Sequence, residues 1–156
     1  IIPVSAVVVS LVDFLISLAL LLALMVWYQL IPDWRILLLP LFLIFGVAAS
    51  LGPILWLAAL NVQYRDFRYI VPFLIQIGLF ISPVGFSSSV IPEQWRLIYS
   101  LNPMVGVIDG FRWSVLGGQA LLYLPGMALS LATAALFLAS GIWYFRKTER
   151  SFADVI

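Results

Sequence analysis

The sequence contains no histidine and no cysteine. Their absence removes imidazole and thiolate chemistry, the usual ligands of zinc, haem and iron–sulfur clusters, and any disulfide framework. Charge is scarce as well: acidic and basic residues make up 10% of the 156 residues, and the net charge is +1. No basic run is present to bind nucleic acid. The chain opens on Ile-Ile-Pro-Val, without an initiator methionine or a basic n-region, and its first apolar run is far longer than that of a signal peptide. That beginning points to the C-terminal part of a larger protein.

What the chain has in abundance is apolar length. Hydrophobic residues account for 64% of it, and a bilayer span needs about 20 such residues in a row to cover roughly 30 Å of hydrocarbon. Residues 4–28 meet that requirement with Asp13 as the sole charge, and 36–60 and 121–145 meet it with none. Residues 70–86 are uncharged but shorter, covering about 26 Å at a helical rise, and Pro72 and Pro83 interrupt them. The pattern predicts an all-α integral membrane protein with four transmembrane helices at about 4–28, 36–60, 70–86 and 121–145. Almost nothing remains for a soluble catalytic domain.

The connections carry the polar residues. Trp27, Tyr28 and Trp34 fit the headgroup boundary. Pro40, Gly46, Gly52 and Pro53 lie within the second run, where a proline tends to kink a span. Residues 61–69, NVQYRDFRY, form the charged connector between the middle runs. Residues 90–118 are too polar to cross and too apolar to sit freely in water. They read as two short helices, 91–101 with Pro92 at its first position and 104–116 capped by Asn102-Pro103 and stopped at Gly117-Gly118. A re-entrant or interfacial hairpin is the expectation. Glu93 with Arg96, and Asp109 with Arg112, are each three apart and can meet on one helix face.

Basic residues suggest the orientation. Arg65, Arg68, Arg146, Lys147 and Arg150 fall on one side of the four-span arrangement, against Arg35, Arg96 and Arg112 on the other. The positive-inside rule then puts the 61–69 connector, the start of the chain and its C-terminus in the cytoplasm.

Candidate functional residues follow. Asp13 lies inside a span, where a charge costs at least ~2.5 kcal/mol, so it reads either as an ion or proton site or as a hydrated carboxylate near Ser10 and Ser17. Ala128, Ala132, Ala135 and Ala139 form a small-residue stripe for close helix packing. Gly46, Ser50 and Gly52 serve similarly on the second span, and Gly106 and Gly110 would pack one short helix on its neighbour. Gly141 with Arg146-Lys147-Thr148 approaches a phosphate-binding loop, but Arg replaces the second glycine and no strand precedes it. The segment should not bind ATP. Tyr64, Arg65, Asp66, Phe67 and Arg68 interleave aromatic and charged side chains, a composition suited either to anchoring at the membrane face or to docking a soluble partner.

Taken in order, four stretches resemble the permease subunits of ABC-2 type exporters. They are Leu60 to Tyr69 followed by Pro72-Phe73; Phe80-Ile81-Ser82-Pro83-Val84; Leu101-Asn102-Pro103-Met104 with Gly110-Phe111-Arg112; and Phe145 to Asp154. The similarity points to the branch that exports O-antigen, capsule or teichoic acid. It implies a permease of six spans in the bacterial cytoplasmic membrane, of which the third to sixth correspond to this chain. It also implies a homodimer, contact with membrane lipid, a lipid-linked glycan as substrate, and a separate ATPase subunit that binds ATP and magnesium, leaving this chain without a cofactor of its own. In that frame Tyr64–Arg68 would contact the ATPase. The hairpin, with Trp95, Tyr99, Asn102, Pro103, Asp109 and Arg112, would shape the outer exit. Three other readings compete: an ion-coupled secondary transporter using Asp13, an ABC-2 exporter of a different hydrophobic substrate, and a membrane enzyme acting on polyprenyl-linked sugars. The last would want clustered carboxylates, whereas Asp33, Glu93 and Asp109 are scattered in sequence.

Overall fold

Apolar runs this long can satisfy their backbone groups in hydrocarbon only by forming helices. The computed structural model describes residues 2–30, 33–64, 66–117 and 122–153, and among them every long run is helical. Helix α1 covers Ile2–Trp27. A 3-10 turn, Trp34–Leu38, leads into α2, Leu39–Gln63. Helix α3 is Phe67–Ile81. After a second 3-10 turn at Ser88–Val90 come two short helices, α4 (Glu93–Tyr99) and α5 (Pro103–Val115), and then α6, Leu124–Ala153. Among the described residues, three stretches are long and apolar enough to cross a membrane: Val8–Trp27, Trp34–Gln63 and Leu124–Glu149. Helix α3 ends at Ile81, five residues before the end of its apolar run at Phe86, because Ser82-Pro83 turns the chain out of helical geometry.

Local chemistry sets the ends. Gln29 adopts a left-handed φ of 56°, and the Leu30 N–H returns to the Met25 carbonyl at 2.9 Å, closing α1. Pro40 lies in the first turn of α2, where its missing N–H removes no helical bond, so the proline inside that helix is Pro53. Asn102 Oδ1 accepts the Met104 N–H at 3.0 Å and caps α5 as its sequence promised. Gly117, at φ +60°, follows its end. Pro92 precedes α4 as its N-cap rather than occupying its first turn. Helix α6 continues past residue 145 through the charged Arg146–Arg150 segment.

The core joins α2, α5 and α6. Phe42, Phe45, Ala49, Val107 and Ala134 are buried together. Helices α2 and α6 run in parallel: Phe45 shares a groove with Met127 and Leu131, Gly52 faces Phe137, Trp56 stacks on Tyr144, and Tyr144 Oη donates to Gln63 Oε1 at 2.9 Å. Their approach is close enough that a Cβ on Gly52 would lie 2.6 Å from the Phe137 carbonyl carbon, and one on Gly141 would lie 2.6 Å from the Gly52 carbonyl oxygen. Glycines at both positions let the two backbones touch.

The stripe that α6 uses differs from the expected one. Ala128, Ala132, Ala135 and Ala139 are exposed, while Gly126, Ser130, Ala134 and Gly141 are buried. The glycine pair of α5 is likewise redirected: Gly106 meets Ser130 of α6 and Gly110 meets the Phe42 ring of α2, not the adjacent α4.

Candidate functional site

The polar residues of segment 81–117 gather at the inner turn between α4 and α5. Helices α2 and α6 serve as rulers for its depth. Arg96 of α4 lies over the Tyr123 ring just before α6 begins, whereas the Ser100 carbonyl meets Ser130, the seventh residue of α6. On the return, Met104 shares a groove with Gly46 and Ser50, Gly110 meets Phe42, and Trp113 carries the Arg35 guanidinium over its ring at 4.8 Å. The turn at Ser100–Pro103 thus sits about 10 Å along the span-length helices from their near ends.

Buried backbone at such a turn must find partners within the protein. It does. Ser130 Oγ donates to the Ser100 carbonyl at 2.8 Å and approaches that of Asn102 at 3.4 Å. At the end of α3 and just past it, Tyr99 Oη donates to the Ile81 carbonyl at 2.6 Å, Asn102 Nδ2 to Ser82 Oγ at 3.0 Å, and Arg112 Nη2 to the Pro83 carbonyl at 2.9 Å. Arg96 Nη2 donates to the Ser89 carbonyl at 3.3 Å. Four of the six hairpin residues singled out from sequence, Tyr99, Asn102, Asp109 and Arg112, therefore converge on or beside the 81–89 segment. Pro103 is buried at the start of α5, and Trp95 stands exposed on α4, outside the cluster.

Arg112 also pairs with Asp109 at 3.3 Å, the second of the expected helix-face pairs. The other, Glu93 with Arg96, is not made, since Arg96 turns to Ser89 and Tyr123 instead. Burial raises the Asp109 carboxyl above its ordinary value, while a hydrogen bond with Ser88 and the guanidiniums of Arg112 and Arg96 pull it back. Burial, and then the Asp109 charge, raise the Tyr99 hydroxyl too. A cavity of about 10 Å³ lined by Ser88, Arg96, Ser100, Asp109 and Tyr123 is large enough for a single water. Ser82, Ser88 and Ser130, all buried, complete the site. A serine in the middle of the apolar 121–145 run was the one sequence signal for Ser130.

At the opposite end of the bundle, the 61–69 connector is tighter than a loop. Helix α2 runs through Gln63, and α3 starts at Phe67. Tyr64, Asp66 and Arg68 are exposed, Phe67 is half-buried, and the Tyr64 and Phe67 rings lie 6.1 Å apart. Arg65 lies outside the described residues. Through Gln63 and Tyr144 this connector shares its end of the bundle with the charged part of α6. Asp13 is exposed on α1; the Ser17 hydroxyl donates to its backbone carbonyl rather than to its carboxylate.

Comparison with known proteins decides the family. The profile of the ABC-2 type transporter family matches residues 2–116. This chain belongs to the ABC-2 type transporter family. An O-antigen export system permease protein from Myxococcus xanthus is 33% identical over the whole of this chain and 60% of its own length. Two from Klebsiella pneumoniae are each 25% identical over the same shares. The chain spans about 60% of the length of the curated relatives it matches. An ABC-2 family chain with three apolar span-length helices is a multi-pass membrane protein.

Proposed function

We propose that this chain is part of the permease subunit of an ATP-driven exporter that moves a lipid-linked polysaccharide across the bacterial cytoplasmic membrane. The similarity of the entire chain to O-antigen export permeases carries this reading. Energy comes from a separate ATPase, and two permease copies enclose the path. Helix α3 with the turn after it makes the fourth crossing, both chain ends face the cytoplasm, and the α4–α5 hairpin re-enters the membrane from the outer face beside the exit. The parallel run of α2 and α6 supports this topology, since it puts the 64–68 patch and the charged end of α6 on one side. The ATPase docks on Tyr64, Arg65, Asp66, Phe67 and Arg68, at the helix junction where Tyr64, Asp66 and Arg68 stand exposed.

The test is reconstitution of the full-length permease with its ATPase in lipid vesicles. Export of the lipid-linked glycan should require ATP and survive a proton ionophore. Arg65→Ala with Asp66→Ala should cut export about tenfold while the permease remains folded. Asp13→Asn should leave export within about twofold of the parent, because Ser17 engages its backbone carbonyl and not its carboxylate. Arrest of export by Asp13→Asn or by the ionophore would instead favour an ion-coupled transporter.

A further inference from the structure

Helix α3 is attached to the rest of the molecule in an unusual way. Of its fifteen residues only Phe67 and Val71, both in the first turns, are even half-buried. Its middle stands over an apolar groove of about 920 Å³, with Leu74, Ile75 and Gly78 on one wall and Pro53, Ile54 and Leu57 of α2 on the other. Among the described residues, side-chain packing therefore contributes little to fixing where α3 lies. Its ends are fixed instead. At the start, residues 64–66 alone separate it from α2. At its last residue and the two that follow, the carbonyls of Ile81 and Pro83 and the hydroxyl of Ser82 are each held by a different hairpin side chain: Tyr99, Arg112 and Asn102. Ser82 and Pro83 are buried there.

We infer that α3 and the α4–α5 hairpin move as one rigid unit, with Tyr99, Asn102 and Arg112 as the coupling residues that carry displacement of the Tyr64–Arg68 end to the hairpin. The helix is about 22 Å long and runs through Pro72, which removes one backbone bond in its second turn and leaves the length beyond it continuous. A push that passes Pro72 arrives at Ile81 unless the far joint yields. Here the joint consists of three hydrogen bonds, one of them from a guanidinium that Asp109 also holds. The inference rests on the permease reading for the source of the push, but the rigidity of the joint can be tested apart from it.

The chain has no cysteine, so once any elsewhere in the assembly are replaced by serine, introduced thiols label it at chosen places. In the full-length permease assembled with its ATPase, spin labels at Phe80→Cys and Ile98→Cys span the joint, and labels at Phe80→Cys and Leu136→Cys report α3 against α6. All three positions are exposed. The expected result on trapping ATP is a changed distance for the second pair and an unchanged one for the first. In a Tyr99→Phe, Arg112→Gln variant the first pair should broaden, and the ATP consumed per glycan exported should rise about tenfold. Tyr99→Phe alone keeps the ring and loses one hydrogen bond, so it guards against misfolding and should show a smaller rise. Arg112→Lys, which retains the charge and a donor, should restore most of the coupling. Movement across the joint in the parent protein, no movement of α3 against α6, or unaltered ATP cost in the double variant would each overturn the inference. If Asp66→Ala leaves ATPase assembly intact while the label distances behave as expected, the docking site is wrong and the rigid unit stands.

Discussion

Asp109 shows how a single residue can set a pH dependence. Its carboxyl is raised above the ordinary 3.8 mainly by burial, so the folded protein holds that proton more tightly than the unfolded chain. In the interval just above 3.8 the folded state binds more protons, and its stability falls as the pH rises. The contribution is complete below the unfolded value and is gone once the pH has passed the raised folded one. Amide hydrogen exchange over residues 103–115, corrected for its intrinsic pH dependence, should therefore show easier opening of α5 as the pH climbs through that interval. Asp109→Asn should make the opening free energy flat. A native protein that is flat there would mean that Ser88, Arg112 and Arg96 together cancel burial.

Among the elements, α6 separates what a sequence can announce from what it cannot. Its length, its apolar character and its approximate start were plain from residues 121–145. Which face it buries was not. Alanines at 128, 132, 135 and 139 and the set Gly126, Ser130, Ala134 and Gly141 are both small-residue stripes at helical spacing, and hydropathy cannot rank them. The choice is made by α2 and α5, whose Gly52 and Gly106 demand a neighbour without bulk. Ala134→Leu should thus lower the stability of the detergent-solubilised permease by about 1–3 kcal/mol, and Ala132→Leu should change it little. Thermal midpoints of the two variants would decide, and equal midpoints would contradict the buried face. The hairpin divides in the same way. Asn102-Pro103 and Gly117 declared its helix ends locally, and the Asp109–Arg112 pair followed from spacing. Tyr99 to Ile81, Arg112 to Pro83 and Ser130 to Ser100 join residues 18, 29 and 30 apart, and no local pattern encodes such meetings.

For the molecule as a whole, the parallel course of α2 and α6 fixes which ends lie together, and charge then suggests the side. Thiol labelling of intact cells should find Arg68→Cys and Glu149→Cys protected from an impermeant reagent. Trp95→Cys, exposed on α4, should be reachable from outside. Arg68→Cys labelled only from outside would invert the orientation.

The shortness of α3 has a consequence for the lipid around it. Two helices that run the same way oblige the chain to travel back between them, and α3 supplies only about 22 Å of that return against a hydrocarbon thickness of roughly 30 Å. On the topology proposed above, the remainder falls to Ser82, Pro83 and the turn that follows. The hairpin buries both residues and binds the Pro83 carbonyl, so acyl chains beside α3 would meet protein there rather than bare backbone.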